Sequence, residues 1–316
     1  MKGVEINPGA LCNARCVFCM SGFDRDRHGA WAPPEPLQAE LLRFFSEGTR
    51  AVGFVGGEPT AYPHLLRSVA YAKRLGYERI SIVTNGLRLA DPAYARTLAR
   101  AGATRFALSI HSHRAAVEER LVGVPRVLER QCRAVRNLVA LRRQGHVPDN
   151  VSLNPVLCRL NMKELKEYVR FFRELGIDDV RFNFIWPRAR VRRDPRIVPS
   201  YREAVPWMLD ALLDNARGPD AHLSFGNVPP SVLPAFVHRR TDWARRYFGD
   251  SEMEKESSRH RPGAGGFERL DWLESEKGDF KKGLPACLGC RHRGACPGPW
   301  ASYVELYGPE EFRPEG

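Results

Sequence analysis

The sequence lacks any apolar run long enough to cross a bilayer, which takes about 20 predominantly apolar residues. Its first residues also lack the charged-then-apolar pattern of a secretory signal. No low-complexity tract interrupts the 316 residues, and no repeat extends beyond a strand–helix alternation. These absences exclude a membrane-spanning protein. They predict a cytoplasmic chain with no membrane partner.

Cysteine is scarce, with eight residues in the chain, and six of them fall into two short groups. Such groups are typical of metal sites in a reducing compartment rather than of a disulfide framework. The first group follows the short apolar segment 4–6 with the spacing CxxxCxxC and consists of Cys12, Cys16 and Cys19. The second reads CxxCxxxxxC and consists of Cys287, Cys290 and Cys296.

The first group lacks a fourth ligand. Three thiolates in a tight loop converge on one centre, and a cubane [4Fe–4S] cluster is a natural occupant that would keep one iron open. A structural zinc ion would require another Cys or His nearby, and none lies between Ala10 and Arg27. A zinc loop or three unrelated thiols are the alternatives.

Two motifs together carry a resemblance to a family. The cysteine motif with Phe18 before its last Cys, followed by Gly56-Gly57-Glu58-Pro59-Thr60, resembles the signature of radical S-adenosylmethionine (SAM) enzymes. The resemblance implies that the open iron chelates SAM and that the reduced cluster cleaves it to a 5′-deoxyadenosyl radical. It also implies an external one-electron reductant of the flavodoxin or ferredoxin type.

The same resemblance implies which residues would bind SAM. Glycine lets the backbone approach a ligand closely, and the carbonyls of Gly56 and Gly57 with Glu58 would receive the SAM amino group. Thr84 and Asn85, at the end of the third strand, are further candidates by resemblance. Phe18 either stacks near adenine or packs the loop.

Apolar runs alternate with helical patterns up to about residue 187, which predicts βα units and a parallel sheet. The predicted strands are Gly3–Asn7, Ala51–Val55, Arg79–Thr84, Arg105–His111, Val151–Leu157 and Val180–Trp186. The predicted helices are Leu37–Glu47, His64–Leu75, Pro92–Ala101, Pro125–Arg143 and Met162–Leu175. Six units are two short of a closed eight-fold barrel. The resemblance implies an α/β fold, a partial (β/α)6 TIM-like barrel.

We expect three regions: the barrel core at 1–190, a bridging region at 191–284 and a cluster-binding extension at 285–316. The bridging region should hold a helix at 201–217 and a short strand at His222–Phe225. A charged helical segment spans Arg239 to Glu256, and a glycine-containing loop runs from Ser257 to Gly266.

Strand alternation selects polar residues that face the barrel interior. Ser109 and His111 share a face of strand four, and Asn154 and Cys158 share a face of strand five. Bound SAM offers ribose hydroxyls, carboxylate and adenine as partners for such groups, so Ser109 and Asn154 are assigned to SAM. His111 is either a substrate-facing acid or base or a hydrogen-bonded structural residue.

The remaining cysteines differ from each other. Cys132 lies on the apolar face of a helix and is expected in the core. Cys158 ends strand five, at the edge where parallel-strand enzymes place their chemistry. It is a hydrogen-atom donor, a missing ligand of the second metal site, or a packed thiol.

The second cysteine group resembles part of the SPASM/Twitch extensions of radical SAM enzymes. A full SPASM domain has another Cys three or four residues on, where this chain has Trp300 in the vicinity and no later cysteine. One auxiliary [4Fe–4S] cluster is therefore expected, and zinc with His292 as fourth ligand is the alternative.

The net charge of +12 indicates an anionic partner. The arginines of the segment 188–193 either bind an anion or form a solvated loop. We expect a peptide or natural-product substrate, with a nucleotide or other small anionic metabolite as the alternative, and no nucleic acid. We expect no separate peptide-recognition domain before strand one, because the first cluster cysteine is already residue 12. This expectation weakens the peptide hypothesis. A non-enzymatic electron-transfer protein would not need the Gly56–Glu58 segment.

Overall fold

The computed structural model describes residues 1–20, 30–218, 221–248, 255–261, 266–271, 280–293, 296 and 298–313. Its strands are β1 Gly3–Asn7, β2 Ala51–Phe54, β3 Arg79–Thr84, β4 Arg105–Leu108, β5 Asn150–Leu153, β6 Val156–Leu157, β7 Asp179–Phe184, β8 His222–Gly226, β9 Lys255–Arg261 and β10 Gly266–Asp271. Its α-helices are α1 Pro34–Ser46, α2 Leu65–Leu75, α3 Pro92–Ala101, α4 Ala115–Val122, α5 Val127–Arg143, α6 Leu165–Glu174, α7 Tyr201–Asn215, α8 Ala235–His238, α9 Thr241–Phe248 and α10 Ala301–Tyr307.

The ten strands form one sheet. Strands β9, β1, β2, β3, β4, β5, β7 and β8 lie side by side and parallel, β6 pairs with β7 just after β5, and β10 pairs antiparallel with β9. The two ends of the sheet are not joined by hydrogen bonds among the described strands. This arrangement confirms the α/β class and the open, partial barrel. The described helices include none that is long and apolar enough to span a membrane.

The sheet forms where the sequence alternates. Along β3 the pattern buries every second residue, among them Ile80 and Ile82. Helices then cover the sheet, because their apolar faces are spaced at the helical period. Helix α6 is an example, with Leu165, Val169 and Phe172 in the core.

Predicted strands two and six end slightly early, at Phe54 and Phe184. Predicted strands four and five differ more. Strand five is divided, since Pro155 has no N–H to donate and interrupts the ladder between β5 and β6. Strand four ends at Leu108. Ser109 and His111 therefore follow the strand rather than share one of its faces, although the Ser109 N–H still bonds to the Thr84 carbonyl at 2.8 Å. Helix α4 lies in the loop after β4, where no helix was predicted.

The predicted loop from Ser257 to Gly266 is wrong for most of its length. Residues 257–261 belong to β9, which pairs parallel with β1, and Gly266 begins β10. The polar residues of β9 show no apolar alternation, so the sequence did not predict a strand there. Pairing with β1 and β10 stabilises it. The buried Ser258 hydroxyl bonds to Glu40 of α1 at 2.6 Å. The charged helical segment expected before it is partly present as α9, and residues 249–254 lie outside the described residues.

The C-terminal helix α10 packs on the core through aromatic rings. Tyr303 lies 4.5 Å from Tyr201, ring centre to ring centre, and Tyr201 stacks on Phe184 of β7 at 4.3 Å. The Tyr201 backbone N–H donates to the Tyr303 hydroxyl at 2.8 Å. Glu311 accepts from the Arg202 backbone N–H at 3.1 Å, so the end of the chain caps helix α7.

Candidate active site

The first cysteine group lies in a loop that runs beside the segment after β2. Beyond the strands, the Val55 N–H donates to the Ile6 carbonyl at 3.0 Å. The Gly57 N–H donates to the Gly9 carbonyl at 2.9 Å, and the Glu58 N–H to the Leu11 carbonyl at 2.8 Å. The two motifs that carry the family resemblance are thus hydrogen-bonded to each other at the carboxyl ends of neighbouring strands.

The two glycines are required by this contact. Gly56 has φ +118°, and a Cβ there would lie 2.0 Å from Asn7 Oδ1. A Cβ on Gly57 would lie 2.1 Å from the Leu11 carbonyl oxygen. No side chain fits at such distances. The sequence predicted a close approach to SAM, and the structure shows in addition a close approach of the cysteine loop itself.

The other side of the cysteine loop rests on the end of α4. The Arg15 N–H donates to the Val122 carbonyl, and the Val17 N–H to the Leu121 carbonyl, both at 2.9 Å. These are carbonyls of the last helical turn, which have no partner within a helix. The loop between Cys12 and Cys19 is therefore held on both sides by backbone hydrogen bonds.

The thiols of this loop suit a cluster. The Ala14 N–H points at Cys12 Sγ at 3.4 Å, and Asn85 Nδ2 lies 3.9 Å from the same sulfur. Burial raises the pKa of Cys16, and the neighbouring Cys19 and Cys12 thiols raise it further. None of the eight cysteines, which all lie in the described part of the chain, forms a disulfide. N–H groups directed at sulfur are a feature of iron–sulfur sites, where they tune the reduction potential.

Among the described residues, no three His, Cys, Asp or Glu side chains are gathered closely enough for one metal ion. A cubane makes a different demand, because each cysteine binds a different iron. A single zinc ion would draw all its sulfurs to about 2.3 Å from one point. Three thiolates, each able to bind a different iron, are a donor set that fits a cubane cluster.

Glu58 is fully buried, and donors surround its carboxylate. Oε1 accepts from the Thr60 N–H at 2.9 Å, from the Thr60 hydroxyl at 2.6 Å and from the Thr84 hydroxyl at 2.5 Å, while Oε2 accepts from the Asn85 N–H at 2.8 Å. Burial raises the pKa of Glu58, and these hydrogen bonds oppose the rise. Its carboxylate joins the β2 and β3 loops. The contact of Glu58 and Thr84 with SAM stays a prediction.

Asn85 connects this network to the cysteines. Its Nδ2 donates to Asn13 Oδ1 at 2.7 Å and its Oδ1 accepts from the Leu87 N–H at 3.0 Å. Asn85 was predicted from resemblance as a SAM ligand, and the structure places it beside Cys12. The role in SAM binding stays a prediction.

His111 is buried, and its ring is held by a backbone hydrogen bond. Nδ1 accepts from the Val156 N–H at 3.0 Å, which leaves the proton of the neutral ring on Nε2. Burial lowers the pKa of His111 to about 3, so the ring is neutral at physiological pH. The edge of the ring meets Phe18 at 4.6 Å between centroids. His111 thus makes a backbone hydrogen bond and Phe18 packs against its ring. The catalytic role of His111 and the contact of Phe18 with SAM stay predictions.

A second buried carboxyl lies beneath His111. Glu118 Oε2 accepts from the N–H groups of His111 at 2.9 Å and Ser112 at 2.7 Å. The Gln131 side chain is within hydrogen-bonding reach of Glu118. Glu118 Oε1 and Gln131 Oε1 are both buried oxygens without a hydrogen bond to any described residue. Burial raises the pKa of Glu118 to about 8.

The other predicted residues lie at the same edge of the sheet or in the core. Ser109 is half-buried after β4, and the amide of Asn183 donates to Asn154 Oδ1 after β5. Cys158 is fully buried, and burial raises its pKa to about 12, so its thiol is protonated. Cys132 is buried, as expected. The roles of Ser109, Asn154 and Cys158 stay predictions.

The second cysteine group forms a compact turn. The Cys290 N–H bonds to the Cys287 carbonyl at 3.2 Å, and the Gly298 N–H points at Cys296 Sγ at 3.4 Å. Burial raises the pKa of Cys296, Cys287 and Cys290 raise it as well, and Lys281 opposes them. Lys281 is itself buried. Three thiols beside a buried cation are compatible with an anionic auxiliary cluster.

Trp300 fixes this group over the barrel. Its ring stacks on Trp186, just past β7, with 4.4 Å between ring centres and 12° between planes. Trp300 is 3% exposed. A buried aromatic side chain therefore lies near the position at which a full SPASM domain has another cysteine. The auxiliary group therefore lies toward the carboxyl ends of the strands, the edge that also carries Cys12.

The arginine segment 188–193 is partly helical, and two of its arginines contact other parts of the chain. Residues Ala189–Arg193 form a short 3₁₀ helix. The Arg188 guanidinium lies 4.4 Å from the centre of the Phe280 ring and 5.1 Å from that of Trp186. Arg192 approaches Glu305 of α10 at 4.0 Å. Arg192 therefore contacts the C-terminal extension, and Arg188 contacts Phe280 of the bridging region.

Sequence reasoning missed Asn7, Asn13, Glu118 and Gln131. Asn7 Oδ1 accepts from the Gly9 N–H at 2.9 Å and shapes the turn before the cysteines. The turn residues Asn7-Pro8-Gly9 were the available signal for it. A lone Glu or Gln within a helical pattern gives no such signal, because its burial depends on tertiary contacts.

The profile of the radical SAM superfamily matches residues 6–180, and the chain belongs to this superfamily. The family uses a [4Fe–4S] cluster and SAM. Curated relatives named "Probable GTP 3′,8-cyclase" from Saccharolobus islandicus and Saccharolobus solfataricus are 30% and 31% identical over 181 residues. That region is 57% of this chain and 56% of each relative, so the chain spans little more than half the length of these relatives.

Solved structures resemble this fold. Streptococcus suis SuiB bound to S-adenosylmethionine superposes with a TM-score of 0.66 at 17% identity, covering 99% of this chain and 76% of SuiB. The anSMEcpe enzyme with bound AdoMet gives a TM-score of 0.56 at 15% identity, covering 70% of this chain and 63% of that one. The likeness in fold to SuiB therefore includes the C-terminal extension.

Proposed function

We propose that this chain reductively cleaves SAM and uses the resulting 5′-deoxyadenosyl radical to abstract a hydrogen atom from an organic substrate. The observation that carries the proposal is the hydrogen-bonded contact between the Cys12–Cys19 loop and the Gly56–Glu58 segment. It brings a three-thiolate donor set and a SAM-binding motif together at the carboxyl ends of β1 and β2.

In this proposal the residues of the chain hold the cluster and position SAM beside it. Cys12, Cys16 and Cys19 hold the cluster, which supplies the electron for SAM cleavage when reduced. The Gly56 and Gly57 carbonyls receive the amino group of SAM. Glu58 acts as a positioning residue, because its carboxylate ties this segment to Asn85. Ser109 and Asn154 are proposed to complete the SAM site.

The direct test is anaerobic reconstitution with iron and sulfide, followed by SAM and a chemical reductant. We expect release of 5′-deoxyadenosine, measured by liquid chromatography and mass spectrometry. The Cys16→Ala variant should release none, while Cys132→Ala, a change at a cysteine outside both groups, should keep the activity. If reconstituted wild-type protein releases none, even with cell extract as a substrate source, the proposal fails.

We propose a peptide as the substrate. The similarity to SuiB supports this, since SuiB has also been solved bound to its precursor peptide SuiA and its fold covers the whole extension of this chain. Strand β10 offers a second argument. Among the described strands it has a partner on one side only, and extended peptides add to such free edges. Cys287, Cys290 and Cys296 are proposed to hold one auxiliary [4Fe–4S] cluster that accepts the product electron or binds substrate.

A nucleotide is the second candidate, favoured by the relatives named GTP 3′,8-cyclase. The two candidates differ in one experiment. The reconstituted enzyme is incubated with SAM, reductant and either GTP or a pool of peptides encoded near its gene. Deuterium transfer from substrate into 5′-deoxyadenosine identifies the substrate class. Transfer from GTP alone would overturn the peptide assignment.

A further inference from the structure

A groove lined with arginine lies on the outer side of the barrel, behind the Asn85 loop. It has a volume of about 700 Å³ and lies between the turn after β3, the start of α3 and one face of α5. Four arginines and one aspartate line it: Arg88, Arg130, Arg133, Arg136 and Asp91. The Asp91 carboxylate is engaged by the Ala93 N–H at 2.9 Å, as the N-cap of α3.

The arginines of this groove have no carboxylate partner among the described residues. Arg133 and Arg136 are exposed on α5, three residues apart and thus on one face. Within the described chain, none of the four arginines forms an ion pair with a carboxylate. Arg88 is held in place by the Tyr94 ring, 4.2 Å from its guanidinium, and it bonds to the Thr60 carbonyl. Arg130 bonds to the Leu87 carbonyl at 3.4 Å. Guanidinium groups gathered on one surface without a carboxylate partner among the described residues attract an anionic partner.

The floor of the groove is close to the N-terminal cysteines. Leu87 lines it, and the Leu87 N–H donates to Asn85 Oδ1 at 3.0 Å. The amide of Asn85 lies 3.9 Å from Cys12 Sγ. One side chain and two polar contacts therefore connect the groove to a cysteine of the N-terminal site. From the other wall, Gln131 of α5 donates to the Asn85 carbonyl at 3.3 Å.

We propose that this groove, named here the arginine groove, docks an acidic one-electron carrier protein that reduces the N-terminal cluster. The inference rests on the proposed function. One electron leaves the reduced carrier, which is oxidised by one electron, and enters the cluster, which is reduced by one. Exposed arginines on an open surface fit a protein partner better than a small molecule, which usually has most of its surface buried. Electron-transfer encounters use small interfaces.

The test uses the holoenzyme and a flavodoxin of strongly negative net charge. Stopped-flow absorbance gives the rate at which reduced flavodoxin transfers its electron, and calorimetry gives the affinity of oxidised flavodoxin, which needs no turnover. The variant is Arg133→Glu with Arg136→Glu. The matched control is Arg96→Glu with Arg100→Glu, an equal charge change on the exposed side of α3, outside the groove.

For the groove variant we expect a transfer rate at low salt about tenfold or more below wild type, and weaker flavodoxin binding. The control should stay near wild type. The wild-type rate should fall as salt is added. SAM cleavage driven by dithionite should be equal in all three proteins, which also shows that the variants fold.

Equal slowing in the groove and control variants would refute the arginine groove as the docking site, and so would no slowing in either. The proposal is also overturned if pyrophosphate binds the wild type but not the groove variant while flavodoxin rates are unchanged, since the groove is then a small-anion site. A wild type that cleaves no SAM with dithionite contradicts the proposed function instead, and flavodoxin affinity still tests docking.

Discussion

The substitution Glu118→Gln should stabilise this protein above neutral pH. Glu118 Oε2 accepts two backbone N–H groups, while Oε1 and the neighbouring Gln131 Oε1 are buried acceptors without a described donor. A proton on Glu118 Oε1 would satisfy both oxygens with one hydrogen bond. A glutamine at 118 presents the same donor permanently, so the variant should keep the native arrangement.

The magnitude follows from the pKa. Burial raises the pKa of Glu118 from 4.5 to about 8. Between these values the folded protein keeps the proton and the unfolded chain loses it, so the stability of the wild type falls as pH rises. Each pH unit costs about 1.4 kcal/mol. The folded carboxyl begins to ionise as pH nears 8, so from pH 6 to pH 8 the Glu118→Gln variant should gain about 2 kcal/mol relative to wild type.

Urea unfolding of the metal-free proteins at several pH values measures this difference. The thiols of Cys132 and Cys158 do not affect the measured difference. Burial raises the pKa of each, and the wild type and Glu118→Gln both contain them. Glu78→Gln, at an exposed glutamate before β3, is the control and should show no pH-dependent gain. If wild type and Glu118→Gln respond to pH in parallel, Glu118 is ionised and Gln131 donates to it, which refutes the reasoning.

Three further predictions concern the N-terminal and auxiliary sites. Glu58→Gln sets an amide NH₂ against the Asn85 N–H and should cost about 2 to 3 kcal/mol in unfolding free energy, measured with urea. Gly57→Ala puts a methyl group against the Leu11 carbonyl and should remove the N-terminal cluster, seen as lost iron and lost SAM cleavage. Cys287→Ala should lower the iron content by about half and leave SAM cleavage in place.

Each of these has a control or a contrary result. Gly53→Ala lies on β2 near the same loop, but its Cβ would have 3.7 Å to the nearest atom, so it should keep its iron. Equal iron in the Gly57 and Gly53 variants would contradict the steric argument. A stable Glu58→Gln variant would mean that this carboxyl is protonated. Unchanged iron in Cys287→Ala would remove the auxiliary cluster.

The sequence predicted the barrel well where the pattern is local. Strand Arg79–Thr84 and helix Pro92–Ala101 have the bounds expected from apolar alternation and from the Asp-Pro start. Strand β9 was missed, because its polar residues show no alternation and its pairing with β1 joins positions 252 residues apart, such as Gly3 and Lys255. Long-range partners decide such a strand.

The candidate site divides in the same way. The cysteines and glycines were identified because their spacing is written in the chain. The surroundings of Glu58 and Glu118 were not, since each carboxyl meets donors from a different element. The sequence explained the need for glycine at positions 56 and 57 by access to SAM. The structure adds a second explanation, the close contact with the cysteine loop.

The pairing of β9 with β1 has a consequence for biosynthesis. Strand β1 can pair with β2 once residue 54 has been made, but its other edge waits for residues 255–261. At ordinary translation speeds that edge stays open for about 10 to 40 s. Meanwhile the partners of the cysteine loop, down to Val122, have already been made. The loop with Cys12, Cys16 and Cys19 can therefore form while the strand beside it still has an unpaired edge that is exposed to aggregation.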